Sequence, residues 1–347
     1  MKFSFSKKVQ PQKIERTASD YAVEIKNLVV EYRTSRSTVQ AVNGIDLTLK
    51  KKHTIGLVGE TGAGKTTSML ALMGLVPNPP GVIVEGSILV NGIDMRSLSP
   101  AQLSAVRGSE IAMIFQDPMT SLNPVLSVGE QIQESILFHE NISKKEAWER
   151  ARQVLATVGI DPNRACEYPH QFSGGMRQRV GIAIALACHP SVLIADEPTT
   201  ALDVTIQAQV LKLMQTLRDE YETSMILISH DLGVVAEICD EVYVMYGGRV
   251  VEAGTLEDIF DHTLHPYTEG LFNSLPNINN RVHKLTPIAG LIPDPSHLPV
   301  GCTFAERCPY ATDACREKQP ELTQASRTHK VYCTRYSEPD FHIKRGN

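Results

Sequence analysis

The chain alternates between short apolar runs and polar turns, with two stretches where apolar residues return at helical spacing. Tyr21-Ala22-Val23-Glu24-Ile25 and Leu28-Val29-Val30-Glu31-Tyr32 carry strand signals, and Ala41 to Leu49 alternates like a strand with one solvated face. Between them, Thr34 to Thr38 is a small polar turn, and residues 1–20 read as a loose polar tail. Ile55-Gly56-Leu57-Val58 is a short strand, and Thr67 to Met73 reads as a helix. Pro77 to Gly81 breaks the chain before a strand and turn at Ser87–Gly92, and Ile111–Phe115 reads as a buried strand. From Val128 to about Thr157 the period becomes helical, with Ile132, Ile136 and Leu137 and then Ala147, Ala151, Val154 and Leu155. A strongly apolar helix is expected over Val180–Ala187, and buried parallel strands over Val192–Ala195 and Met225–Ile228. This pattern predicts an α/β core with a helical insertion. Past Phe260 the chain becomes proline-rich, with Pro276, Pro287, Pro293, Pro295 and Pro299, and reads as an irregular extension.

The chemistry sits where strands end. Gly59-Glu60-Thr61-Gly62-Ala63-Gly64-Lys65-Thr66, followed by Thr67, joins the strand at Val58 to the next helix and fits the phosphate loop G-x-x-x-x-G-K-[ST]. Glycines let backbone N–H groups face phosphate oxygens, and the helix adds the positive end of its dipole. Lys65 would reach the β- and γ-phosphates of ATP, and the Thr66 hydroxyl would ligate Mg²⁺. An ordinary glycine turn is the plainer alternative, and the flanking strand and helix disfavour it. Asp196 and Glu197 end a uniformly apolar run, where α/β sheets present their sites. Asp196 is assigned to Mg²⁺ and Glu197 to the attacking water. Gln116 closes another strand and can hold a water or a metal ligand. Ser173-Gly174-Gly175 precedes a helix, which suits either an anion or a simple cap. His230, at a strand end, either donates to a γ-phosphate oxygen or is structural. Tyr32 either stacks on adenine or is an ordinary exposed ring.

Composition narrows the class. The 347 residues suffice for about two domains. At 42% apolar and 21% charged, the chain resembles an ordinary soluble protein. No apolar run approaches the roughly 20 residues needed to span a bilayer. The N-terminus has positive charge without an apolar core, so a secretory signal is not expected. A net charge of -5 with no basic block gives no reason to expect nucleic acid. A cytoplasmic setting is expected, where the seven cysteines would not form structural disulfides.

Tyr32, Gly59–Thr66, Gln116, Ser173–Met176, Asp196–Glu197, Leu202–Asp203 and His230 stand in one order that resembles the ABC-type ATPases over about residues 21–262. The resemblance implies a P-loop, RecA-like α/β nucleotide-binding domain with a helical subdomain over about 120–185. It makes these residues the A-loop, Walker A, Q-loop, signature, Walker B, D-loop and switch histidine. Glu197, His230 and Gln116 would be catalytic; Ser173, Gly174, Gly175 and Asp203 would touch nucleotide; Thr66, Gln116 and Asp196 would hold Mg²⁺. The signature departs from L-S-G-G-Q at Phe172 and Met176, leaving the phosphate-contacting Ser-Gly-Gly intact. Such ATPases work as sandwich dimers in which each ATP bridges the Lys65 site of one subunit and the Ser173 helix of the other.

The run Phe115–Pro124, the run Phe172–Arg179 and His265-Pro266-Tyr267-Thr268 resemble the ATPase subunits of dipeptide/oligopeptide importers, a group that includes nickel importers. That resemblance implies a second ATPase subunit, often non-identical, two membrane permease subunits and an extracytoplasmic binding protein. It places the chain on the cytoplasmic face of the membrane. Residues 263–347 would form a small, irregular, cysteine-containing C-terminal domain. Cys302, Cys308, Cys315 and Cys333 are separated by five, six and seventeen residues. Four thiols in a core-poor segment suit a metal staple. A [4Fe–4S] cluster, a Zn²⁺ ion and unligated thiols all stay open. Gly301-Cys302-Thr303-Phe304 and Arg307-Cys308-Pro309 resemble the C-terminal motif of peptide-importer ATPases, some of which hold such a cluster.

Other readings fit less. A DNA-repair ABC ATPase carries long coiled-coil arms, yet only 108 positions separate Lys65 from Ser173 and no heptad run occurs. A small-molecule P-loop kinase leaves Ser173-Gly174-Gly175 unexplained. A metal sensor with a vestigial nucleotide site leaves Lys65, Asp196, Glu197 and His230 without purpose. Nickel chelates and oligosaccharides stand as alternative cargoes.

Overall fold

The computed structural model describes residues 14–117, 121–200, 202–274, 287–338 and 340–343. The first part of the expected tail, the Pro118–Thr120 segment after Gln116, Ala201 and Pro276 lie outside the described residues. In chain order the strands are β1 (Tyr21–Arg33), β2 (Thr38–Lys50), β3 (Thr54–Val58), β4 (Gly81–Val90), β5 (Ile93–Asp94), β6 (Ile111–Ile114), β7 (Val192–Asp196), β8 (Ser224–Ile228), β9 (Glu241–Tyr246), β10 (Arg249–Thr255), β11 (Leu322–Gln324) and β12 (Lys330–Tyr332). The helices that matter here are α1 (Lys65–Leu72), α2 (Pro100–Val106), α3 (Val128–His139), α4 (Lys144–Thr157), α5 (Gly174–Leu186), α6 (Val204–Tyr221), α7 (Leu232–Ile238), α8 (Leu256–Phe260) and α9 (Pro266–Asn273). The two strand signals before Arg33 form one strand, with Asn27 in the left-handed region at φ 48 where the inward-facing register changes.

The chain falls into two compact units, Met1–Glu24 with Thr48–His53 and Ile88–Ile226, and Ile25–Leu47 with Thr54–Ser87 and Leu227–Asn347. In the first unit β6 and β7 pair in parallel, Ile111 to Val192 through Ile114 to Ala195, and every one of these eight side chains is buried. A strand buried on both faces needs an apolar residue at each position, which is what the uniform runs supply. Phe115 was expected to end that strand; it lies beyond it and is 43% exposed.

The helical insertion keeps its predicted period. On α3 the buried stripe is Val128, Ile132 and Ile136, while Leu137 is half-buried beside it. Ser127 caps this helix, accepting from Glu130 N as the Glu130 carboxylate accepts from Ser127 N at 2.8 Å. Those Ser127 contacts hold the Glu130 carboxyl below its ordinary value. On α4 the buried stripe is Ala147, Ala151 and Leu155, one residue per turn. The two alanines in this stripe let helices approach closely.

In the second unit β3 pairs in parallel with β9, and the order runs β11-β12-β10-β9-β3. The segments of β2, β1 and β4 in this unit lie side by side in that order. The C-terminal extension is built into this sheet: β12 pairs antiparallel with β10, setting Val331 opposite Glu252. Its described part from 287 to 300 has no helix or strand, as its prolines lead one to expect.

Candidate active site

The phosphate loop spans the gap between β3 and α1. Gly59 sits at φ 146, and a Cβ there would lie 2.1 Å from the Met245 carbonyl oxygen. Gly64, at φ 97, caps α1 in the left-handed region, which a side chain resists. The helix begins at Lys65, two residues earlier than its pattern indicated, so the Lys65 and Thr66 N–H groups belong to its open first turn. Lys65 is only 6% exposed, and its ammonium donates to Gly59 O at 2.6 Å and Glu60 O at 3.0 Å. The loop thus holds a cation over its own rim. Thr61, Gly62 and Thr66 are exposed and Thr67 is half-buried. Thr61 and Gly62 line a cavity of about 380 Å³ together with Gln40, Gly248, Ile292 and Pro295.

Two anchors of this loop come from residues that carried no assigned role in the sequence reading. Tyr267, fully buried at the start of α9, accepts from Glu60 N at 2.8 Å. Burial pushes its phenol well above the ordinary value, so that oxygen stays neutral. Arg307 grips the Glu60 carboxylate at 2.7 and 3.1 Å. The motifs containing Tyr267 and Arg307 were visible, but nothing local linked them to Glu60. Tyr32 is half-buried, with its ring against Gly81, where a Cβ would meet it at 3.0 Å. His230 is exposed two residues past the end of β8, ahead of Asp231, which caps α7 by accepting from Gly233 N at 2.9 Å.

In the other unit the strand-end acids are placed as expected. Asp196, 3% exposed, ends β7. Glu197 turns into the left-handed region at φ 48. Its Oε2 accepts from Gln116 Nε2 at 2.6 Å and from the Thr200 hydroxyl at 3.0 Å. Gln116 and Glu197, 81 residues apart, therefore meet in one hydrogen-bonded pair.

Ser173 is the exposed N-cap of α5, and its side chain makes no capping hydrogen bond to the helix. Gly174 is exposed too, and a Cβ there would meet nothing within 4 Å. Gly175 is crowded, with Ile206 Cγ2 at 2.5 Å from any added Cβ. The two departures from the usual signature have local work: the Arg164 guanidinium lies 4.4 Å from the Phe172 ring centroid and donates to Met176 Sδ at 3.5 Å. Asp203 caps α6, its Oδ1 accepting from Ile206 N at 3.0 Å.

Thr66 offers a hydroxyl oxygen, Gln116 an amide oxygen and Asp196 a carboxylate, each a hard donor of the type that Mg²⁺ takes. Burial, and after it neighbouring thiols, raise the thiol pKa of Cys302, push Cys308 up to about 11 and push Cys333 up to about 12. Yet among the described residues no group of three or more His, Cys, Asp or Glu is arranged to hold a metal ion. The predicted cluster geometry is therefore not formed by these side chains.

Behind the loop, His265 is buried at 1% exposure, and its Nδ1 accepts from Tyr267 N at 3.0 Å. Burial depresses its pKa from 6.5 to about 3, against a weaker opposing contact with the Tyr332 backbone. The unfolded chain therefore takes up a proton between pH 6.5 and 3 that the folded chain refuses. This contribution is complete above pH 6.5 and declines as pH falls, by at most about 1.4 kcal/mol per unit. Urea denaturation at pH 7.5 and 5 should show the loss, and His265→Gln should flatten it. An unchanged slope would refute the assignment.

A strand-to-helix phosphate loop, a buried strand-end Asp-Glu and a Ser-Gly-Gly helix cap on one chain define an ATP-binding cassette. A family model described as "ABC transporter" matches residues 42–200, and one described as "Oligopeptide/dipeptide transporter, C-terminal region" matches residues 251–315. The oligopeptide transport ATP-binding protein AppD of Bacillus subtilis (strain 168) is 50% identical over 91% of this chain and 97% of its own length. The dipeptide transport ATP-binding protein DppD of the same organism is 48% identical over 90% and 93%. Among solved structures, the dimeric post-hydrolysis state of the ATP-binding cassette MJ0796 bound to ADP and Pi superposes with a TM-score of 0.61 at 27% identity. It covers 67% of this chain and 98% of that one. The chain belongs to the ATP-binding subunits of the oligopeptide/dipeptide ABC transporter family.

Proposed function

We propose that this chain hydrolyses ATP to drive the import of peptides through two membrane permease subunits fed by an extracytoplasmic binding protein. The observation that carries this reading is the Gln116–Glu197 pair at the end of β7 on a chain that also holds a complete phosphate loop. Lys65 and the N–H groups of α1 bind the β- and γ-phosphates. Glu197 orients and deprotonates the attacking water, and Gln116 links that carboxylate to the loop that follows it. Thr66 and Asp196 would hold Mg²⁺, which would supply charge neutralisation at the phosphates. Ser173 and the first turn of α5 serve the ATP bound by a second ATPase subunit, so nucleotide closes the dimer. His230 reads the γ-phosphate, and Tyr32 carries the adenine.

Attachment to the membrane is peripheral in this reading, since no described helix is long and apolar enough to cross one. The seat for a permease is the cavity of about 360 Å³ lined by Met113, Ile114, Phe115, Leu122, Gly181 and Ile184. Gln178, 2% exposed, lines it as well, and its Nε2 has no hydrogen-bond partner among the described residues. An apolar groove with one buried unspent donor suits a short cytoplasmic helix that offers an acceptor. Phe115→Asp should leave ATP affinity intact and abolish stimulation of ATPase activity by the permeases. Full stimulation in that variant would move the docking site elsewhere.

The test of the whole reading is co-purification from membranes followed by reconstitution in vesicles with ATP. Uptake of labelled di- and oligopeptides, lost in Ser173→Arg, is expected. Uptake of nickel chelates or oligosaccharides instead would change the cargo, and full-speed hydrolysis by a strict monomer would remove the dimer mechanism.

The four cysteines carry a finer proposal, a [4Fe–4S] cluster at Cys302, Cys308, Cys315 and Cys333, with Zn²⁺ as the alternative. It is supported by four thiols, buried or half-buried, within one short segment, and requires them to regroup on binding. Iron and acid-labile sulfide in anaerobically purified protein would bear it out; zinc without iron would replace it.

A further inference from the structure

Glu60 puts a carboxylate in a loop that receives a polyanion, and left uncompensated it repels the phosphates the loop must attract. The structure answers that charge from the C-terminal extension. Arg307 stands 247 residues away, in the short turn Ala305–Arg307 immediately before Cys308. Its side chain is 5% exposed. A guanidinium has five N–H donors, and here all five are matched. Nη1 donates to Glu60 Oε2 at 2.7 Å and Tyr246 Oη at 3.1 Å, and Nη2 to Glu60 Oε1 at 3.1 Å and Ile288 O at 3.2 Å. Nε donates to Ala289 O at 3.0 Å. Glu60 is gripped at its other two points as well, its N–H by Tyr267 and its carbonyl by Lys65, at 2.8 and 3.0 Å.

We propose that Arg307 is a positioning residue of the nucleotide site: it cancels the Glu60 charge and fixes that carboxylate, so the C-terminal extension sets how strongly the phosphate loop holds phosphate charge. This rests on the ATPase reading above. The bidentate fork is the geometry that a lysine cannot reproduce. Because Cys308 follows directly, a rearrangement of the cysteine element reaches the phosphate loop through one side chain.

The test measures equilibrium affinity of the full-length chain for ATP, ADP and AMP by competition with a fluorescent ATP analogue. Arg307→Met should weaken ATP by about 10- to 100-fold, ADP less and AMP least, since the uncancelled charge acts on each phosphate. Arg307→Lys should fall between wild type and Arg307→Met. The double variant Glu60→Gln with Arg307→Met removes both charges and should bind ATP within about threefold of wild type. An equal loss for ATP and AMP, or a double variant weaker than wild type by more than tenfold, overturns the proposal. Should Arg307→Met fail to fold, the double variant and Arg307→Lys decide by the same criteria. Wild type that binds no ATP would refute the ATPase reading itself, a separate outcome.

Discussion

Glutamine in place of Glu197 is expected to stop ATP turnover while leaving ATP bound. The substitution keeps size and shape, and an amide oxygen can still accept from Gln116 and Thr200, which hold the carboxylate at 2.6 and 3.0 Å. The left-handed turn at residue 197, φ 48, is therefore held by the same contacts after the change. What disappears is basicity. General-base assistance contributes about 10²- to 10⁴-fold, so kcat should fall by that factor while ATP affinity changes little. Phosphate release in the steady state, with bound nucleotide measured in the same sample, checks both halves. A further consequence follows from the proposed dimer: ATP that cannot be hydrolysed keeps the two subunits closed, so Glu197→Gln with ATP should elute as a dimer and revert with ADP. Hydrolysis within a few-fold of wild type would remove Glu197 from its role.

The parts of the site legible from sequence are those whose chemistry is local. The loop from Gly59 to Thr66 is constrained by its own backbone, and Asp196 and Glu197 stand out because the strand before them is apolar at every position. The start of α5 was less legible. Gly174 and Gly175 are poor helix formers, so periodicity points to Val180, yet the helix begins at Gly174. Tertiary contacts override propensity there: Arg177 Nε reaches the Pro169 carbonyl at 2.8 Å, and Ile206 packs on Gly175. Asp203, expected at nucleotide by resemblance, spends its carboxylate on capping α6, a use that any loop aspartate before a helix can have. Pairings between distant segments left no local trace at all. Nothing in the periodicity of residues 330–332 announces that they pair with β10, and nothing near Glu60 announces Arg307. Such contacts depend on which chain segments the sheet order brings together, and spacing along the chain does not encode that order.

Alanine at position 59 is the second large effect expected, and it separates steric from conformational demands on the loop. Gly59 sits at φ 146, and its Cβ would lie 2.1 Å from the Met245 carbonyl oxygen, a distance that no rotamer can relieve because both atoms are fixed to backbone. Either the loop or the end of β9 must move. Met245 adjoins Tyr246, which Arg307 holds together with Glu60, so displacement there disturbs the anchoring of the next loop residue. ATP affinity should fall by more than about 100-fold, a loss near 3 kcal/mol. Gly62→Ala is the informative contrast: its φ of 84 is also left-handed, but no atom lies within 4 Å of the added methyl. Its strain alone is about 1–2 kcal/mol, which lowers the melting temperature by roughly 2–8 °C in a domain of this size. Thermal denaturation of both variants, with ATP titrated into each, should place Gly59→Ala well below Gly62→Ala in both stability and affinity. Equal losses would mean that backbone angle alone governs the loop and that its contact with β9 carries no weight.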